Sequence, residues 1–138
     1  MTLDPVAPHL AALRAAADEA MGRAYAPYSK FHVGAALLTA DAQVIAGCNV
    51  ENAAYPAGIC AERGAIAAAV AAGHRRFVAV YISTAAETPT PPCGMCRQVL
   101  AEFGLDLTVI ARTASGREAR WTLRDLLPDP FTPSQLHA

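Results

Sequence analysis

The sequence has no surplus of positive charge: eleven lysines and arginines face twelve aspartates and glutamates, for a formal net charge of -1 over 138 residues. Without such a surplus little is available to neutralise phosphates, so a nucleic-acid partner is disfavoured. Long apolar runs are missing as well. The stretch from Ala67 to Ala72 stops at Gly73-His74-Arg75-Arg76, far short of the roughly 20 apolar residues that cross a bilayer, which disfavours a membrane partner. Residues Met1 to His9 carry an aspartate and two prolines but no basic segment leading into an apolar run, so no secretory signal is expected and the cytoplasm is the expected compartment. Cysteine is scarce, four in all; in a reducing compartment these are expected to stay thiols able to ligate metal, not to form a disulfide framework. Internal repeats, linkers and low-complexity tracts beyond alanine enrichment are lacking too. One domain over residues 1–138 is therefore expected, and a composition that is 54% hydrophobic supplies its core.

Against this plain background one bipartite stretch stands out: Cys60-Ala61-Glu62, answered about thirty residues later by Pro92-Cys93-Gly94-Met95-Cys96. Cys93 and Cys96 are three apart, so a helix entered through Pro92 and Gly94 projects both sulfurs from one face of its first turn. A third thiolate from Cys60 leaves a tetrahedral zinc with one open corner, and the open corner separates a catalytic zinc from a closed structural one. Water fills that corner, zinc brings its pKa toward neutrality, and a neighbouring carboxylate carries its proton to a substrate nitrogen. Glu62 is the expected carboxylate. Residues two apart do not share a face of a regular helix, so Cys60 is expected at a helix boundary, where it and Glu62 can both reach the metal. Three thiolates make the centre net negative. Two helix N-termini offset this, and Arg63, with Arg97 as a second candidate, is expected to donate hydrogen bonds to the ligand sulfurs; an ordinary salt bridge is the alternative for each.

Taken in order, Pro8 to Gly22 reads as an amphipathic helix, with Leu10, Leu13, Ala17 and Met21 at helical spacing. Phe31–Thr39 and Gln43–Asn49 read as a hairpin broken at Asp41. Val50 to Ile59 is irregular and suited to binding. Cys60 to Ala72 is an alanine-rich helix, apolar all round and so expected to be buried, ended by Gly73. Phe77–Thr84 is a strand, Ala85–Pro92 a proline-rich loop, and the second metal-bearing helix runs through Gln98–Phe103 to Gly104. Leu107–Arg112 and Arg117–Trp121 are strands; the turn between them is too short for a parallel crossover, so if they pair they are antiparallel. Thr122–Leu127 is a short helix and Pro128–Ala138 a tail. The expected fold is a three-layer α/β/α arrangement around a mixed sheet of about five strands.

The chain resembles the cytidine deaminases of the small homotetrameric kind, which use three cysteines on zinc where the larger dimeric kind uses one histidine and two cysteines. The resemblance runs from Tyr25-Ala26-Pro27-Tyr28-Ser29 through Asn49-Val50-Glu51-Asn52-Ala53-Ala54-Tyr55-Pro56 to Leu126-Leu127-Pro128 and Phe131. It implies one zinc per chain and hydrolytic deamination of cytidine and deoxycytidine, a step of pyrimidine salvage, with Glu62 as proton shuttle. It places Asn49 and Glu51, an amide and a carboxylate two residues apart, on the ribose 3'-hydroxyl. Phe31 is implied to line the pyrimidine pocket, and backbone groups at Ala61 and Cys93 to hold the base edge. Ala53, Tyr55 and Phe131 match positions the family contributes across a subunit interface, so a homotetramer with shared sites is implied.

Three other readings stay open on sequence. An enzyme with the same metal half acting on an aminoacyl-nucleoside antibiotic is opposed by Asn49, Glu51 and Phe131. A redox protein using Cys93-Gly94-Met95-Cys96 as a dithiol needs neither Cys60 nor zinc. A zinc-stabilised binding module wants a fourth protein ligand, and none stands at ligand spacing: Cys48 has no partner, and His9, His32, His74 and His137 are scattered.

Overall fold

In the computed structural model, which describes residues 3–137, the expected hairpin forms as β1 (Val33–Thr39) and β2 (Val44–Cys48). The remaining strands are β3 (Phe77–Thr84), β4 (Thr108–Arg112) and β5 (Glu118–Thr122). They make one mixed sheet in the order β2-β1-β3-β4-β5. Only β3 and β4 run parallel; β1 is antiparallel to both its neighbours, and β5 is antiparallel to β4. The short connection between β4 and β5 dictates that last pairing. It closes through Gly116 at φ +92 and through Thr113, whose Oγ1 accepts from Arg117 N at 3.0 Å. Arg117 belongs to this turn, so β5 starts one residue later than the sequence suggests.

Helices cover both faces. On one lies α1 (Leu10–Gly22), which buries Leu13, Ala17 and Ala20, the first two against Ala36, Leu38, Ala79, Tyr81 and Ile110 of the sheet. The other carries α2 (Ala61–Ala71) and α3 (Gly94–Ala101), with the short α4 (Leu123–Leu126) beside them. Ala35, Leu37, Val80, Ile82 and Val109 pack there with Ala61, Ala65 and Leu100. The period-two alternation of β1 and β3 thus splits one apolar run between two cores, and the architecture is the expected three-layer α/β/α. No helix among the described residues is long and apolar enough to cross a membrane.

Three further local expectations change. The helix expected from Pro8 begins instead as a 3-10 turn over Ala7–His9, with α1 proper starting at Leu10. The helix α2 is not buried all round: Ala67, Ala68, Ala71 and Ala72 are exposed, because the sheet covers one side only and alanine loses little in water. The expected tail contains a one-turn helix, α5 (Pro133–Leu136), started by a capping box between Thr132 and Gln135. Residues 1, 2 and 138, which fall in the expected leaderless start and tail, lie outside the described residues.

Candidate metal centre and active site

The N-termini of α2 and α3 meet at one end of the sheet. Cys60 and Cys93 are their N-caps, both with extended backbone (φ -75, ψ 157 and φ -65, ψ 170), and neither side chain caps its own helix. Each carbonyl accepts the first helical hydrogen bond instead, Cys60 O from Gly64 N at 3.0 Å and Cys93 O from Arg97 N at 2.9 Å. Both sulfurs are thereby released toward the gap between the helices, with the partial positive charge of two N-termini behind them. Cys96, one turn into α3 and fully buried, supplies the third.

All four cysteines are free thiols. The sulfurs of Cys60, Cys93 and Cys96 lie within 4.8 Å of one another, and Cys60 Sγ stands 3.9 Å from Cys93 Sγ. A tetrahedral zinc with bonds of about 2.3 Å holds its sulfurs about 3.8 Å apart, so the trio fits that ion. The thiols already compete for protons. Cys60 is pulled down to about 6, chiefly by its hydrogen bond with Cys96 and then by Cys93 and the nearby Arg63 guanidinium. Cys96 is pushed up, because it keeps the proton it shares with Cys60 and because it is buried. A divalent cation removes that competition by replacing the protons.

Glu62 lies in the first turn of α2, only 5% exposed. Burial first, and the Cys60 charge second, raise its carboxyl above the ordinary glutamate value. Glu62, Cys60, Ala61 and Cys93 form one wall of a cavity of about 440 Å³, in the range of small-molecule sites. Phe31, Asn49, Glu51 and Tyr55 line the same cavity on the hairpin side.

The hairpin-side groups are held by backbone. Asn49, just past the end of β2, accepts from Val33 N at 2.8 Å and donates to Phe31 O at 2.8 Å. Glu51 accepts from Tyr28 N at 3.0 Å, Ser29 N at 3.1 Å and the Ser29 hydroxyl. That hydroxyl is the first cause holding Glu51 below its ordinary value. Phe31 precedes β1 by two residues and is 40% exposed.

Other predicted residues stand elsewhere. Ala53 is exposed and does not line the cavity. Phe131 is 61% exposed, in a separate groove with Leu105 and Pro128, its carbonyl accepting from Gln98 Nε2 at 2.7 Å. Arg63 donates to the thioether of Met95 at 3.0 Å. Arg97 donates Nε–H to Pro92 O and Nη1–H to Leu126 O, each at 2.8 Å. Ser29 was missed, although it lines the cavity and anchors Glu51; its place beside Tyr28, 22 residues from Glu51, carries no local signal.

A mixed α/β/α sheet that sets two cysteines and a buried carboxyl on one cavity wall, with a third cysteine buried within reach of the first two, fits a metal-dependent enzyme centre, since three protein ligands leave a position for water. Residues 9–112 match the family described as the cytidine and deoxycytidylate deaminase zinc-binding region. The chain belongs to that family, as a member of the three-cysteine zinc type. It is 43% identical to a cytidine deaminase of Halalkalibacterium halodurans over 88% of this chain and 92% of that one. The crystal structure of a cytidine deaminase from Burkholderia pseudomallei superposes with a TM-score of 0.84 at 48% identity, covering 88% of this chain and 98% of that chain. A blasticidin-S deaminase from Bacillus cereus is more distant, 31% identical over 75% of this chain and 79% of its own.

Proposed function

We propose that the protein hydrolyses cytidine and deoxycytidine to uridine and deoxyuridine, releasing ammonia, as a cytoplasmic step of pyrimidine nucleoside salvage. The observation that carries this reading is a buried carboxyl, Glu62, on the same cavity wall as the thiolates of Cys60 and Cys93. One zinc per chain, held by Cys60, Cys93 and Cys96, supplies a nucleophilic water at neutral pH. Glu62 would accept one proton of the attacking water and pass it to the pyrimidine ring nitrogen, then take the second from the hydroxyl added to the ring and give it to the departing amine, which leaves as ammonia as the carbonyl forms. Its burial suits this shuttle, since a carboxyl that resists ionisation accepts and returns a proton readily near neutral pH.

The hydrogen-bond inventory supports Asn49 and Glu51 as sugar contacts. Glu51 already accepts from three donors, leaving roughly one of a carboxylate's four lone-pair sites free. Asn49 has spent one amide hydrogen and one lone pair on the backbone. One free acceptor beside one free donor matches a hydroxyl, which donates once and accepts. Phe31 flanks the base, and backbone groups of Ala61 and Cys93 take its edge. Arg63, close enough to help hold the Cys60 thiol down, draws charge from the sulfurs. The sites are shared in a homotetramer, with Ala53 and Phe131 completing a neighbour's pocket together with Tyr55, which also lines the cavity of its own chain; exposure of 74% for Tyr55 and 61% for Phe131 supports this.

Ammonia release from cytidine by zinc-loaded protein tests the reaction. Wild type is expected to turn over and Glu62→Gln to lose about 10²- to 10⁴-fold while keeping its zinc, the range of acid–base catalysis. No release by wild type carrying one zinc per chain would overturn the reading. Sharing of sites is tested by dilution: turnover per zinc is expected to fall as the protein becomes monomeric, and full activity in a demonstrated monomer refutes it.

A further inference from the structure

The strand β2 and the first turn of α2 touch backbone to backbone. A methyl group added at Gly47 would stand 2.4 Å from Ala65 N, 2.8 Å from Ala61 O and 2.8 Å from the carbonyl carbon of Gly64. All three atoms belong to the turn that follows Cys60 and contains Glu62. From the helix side, a methyl at Gly64 would stand 3.3 Å from Cys48 O. The two glycines therefore lie on opposite sides of one contact: at Gly47 the backbones come too close for any side chain between them, while at Gly64 a methyl would press on Cys48 O and force a shift of a few tenths of an ångström. Gly64 is also tied to a ligand, since its N–H donates to Cys60 O at 3.0 Å.

This contact lies where the two halves of the cavity diverge. Beyond Gly47 the strand runs into Asn49 and Glu51; the helix turn above it carries Cys60 and Glu62. We propose that Gly47 and Gly64 are positioning residues whose side-chain-free contact sets the height of the first turn of α2 over β2. Through that height it sets the placement of Cys60 against Cys93 and Cys96. Gly34 makes an even closer approach, 1.9 Å from an added methyl to Ala17 O, but against α1 on the sheet face away from the thiols. Close packing alone is thus a property of both faces, and only the Gly47–Gly64 contact bears on the metal.

The inference concerns ligand geometry and does not depend on which nucleoside is the substrate. It is tested with Gly64→Ala, the milder of the two substitutions, by cobalt(II) absorption and by zinc affinity in competition with a chelator. Alanine is the better helix former by about 1 kcal/mol, so a role in packing alone leaves this variant folded with unchanged metal binding. The positioning role predicts shifted cobalt bands, zinc binding weakened about tenfold as for supporting residues of metal sites, and a narrower gap between metal-free and zinc-loaded melting temperatures. Gly94→Ala is the control: it stands between Cys93 and Cys96, yet an added methyl meets nothing within 4 Å, and its cobalt spectrum is expected to match wild type. Wild-type spectrum and affinity in Gly64→Ala would overturn the proposal. So would loss of the fold in metal-free and zinc-loaded forms alike, because the pair would then hold the fold and not the site. Neither readout uses cytidine, so failure of the proposed reaction is distinguishable from failure of this inference.

Discussion

Replacing Arg97 by methionine is expected to destabilise the protein by about 3 kcal/mol, equally with and without zinc. Arg97 is half-buried in α3 and ties two otherwise separate carbonyls, Pro92 O and Leu126 O, at 2.8 Å each. A hydrogen bond from a charged donor contributes about 1.5–3 kcal/mol. Arg97 itself is only partly buried, which places each bond at the lower end and the pair at about 3 kcal/mol. Methionine keeps the unbranched apolar stem, so lost packing adds little. The assay is urea unfolding of metal-free and zinc-loaded protein, read from the midpoint with the slope unchanged. A carbonyl brace costs the same in both forms, whereas a donor to ligand sulfur, one of the two roles left open for Arg97 by the sequence, costs only the zinc-loaded form. A loss below about 1 kcal/mol, or one confined to the zinc-loaded form, would refute the reasoning.

Chelation of zinc is expected to abolish turnover reversibly and to lower the melting temperature; the native state gives up about 4 kcal/mol for a metal present at a thousand times its dissociation constant. Unchanged melting on chelation would show that the three thiols do not bind zinc. The Glu51 carboxyl is held below 4.5, first by the Ser29 hydroxyl, so its contribution to stability is complete above 4.5 and disappears as pH falls through the lowered native value. Ser29→Ala removes the largest cause and is expected to bring the Glu51 titration, followed by carboxyl-carbon NMR, back toward 4.5; an unmoved titration would assign the shift to the backbone donors of Tyr28 and Ser29 and to His32.

What could be read from the sequence follows the distance along the chain between interacting partners. Cys60 and Glu62 are two apart, and that spacing requires a helix boundary; the boundary falls at Cys60, the N-cap of α2. Cys93 and Cys96 are three apart, and with Cys93 as the N-cap and Cys96 in the first turn of α3 the helix expected after Pro92 forms there. The antiparallel pairing of β4 with β5 is similarly local, forced by a short turn. The capping box of α5 is equally local, Thr132 followed three residues later by Gln135 with Pro133 at the first helical position, yet Pro128–Ala138 reads as a tail because a single turn carries no apolar periodicity.

The hairpin side of the cavity obeys no such local rule. Strand alternation sets Asn49 and Glu51 pointing the same way, but β2 ends at Cys48 and alternation ends with it. Their orientations come instead from partners 16 to 23 residues away, Val33, Phe31, Tyr28 and Ser29. Arg63 illustrates the same limit within the metal half. Its position beside Cys60 makes a sulfur partner legible, while the sulfur it meets, that of Met95, is brought there by α3 from 32 residues away. The two sides of the cavity therefore fail differently under substitution. A change at Cys93 or Cys96 removes a ligand atom directly. A change at Asn49 also releases the backbone of Phe31 and Val33, so its effect on anything held in the cavity combines the lost amide with a loosened wall.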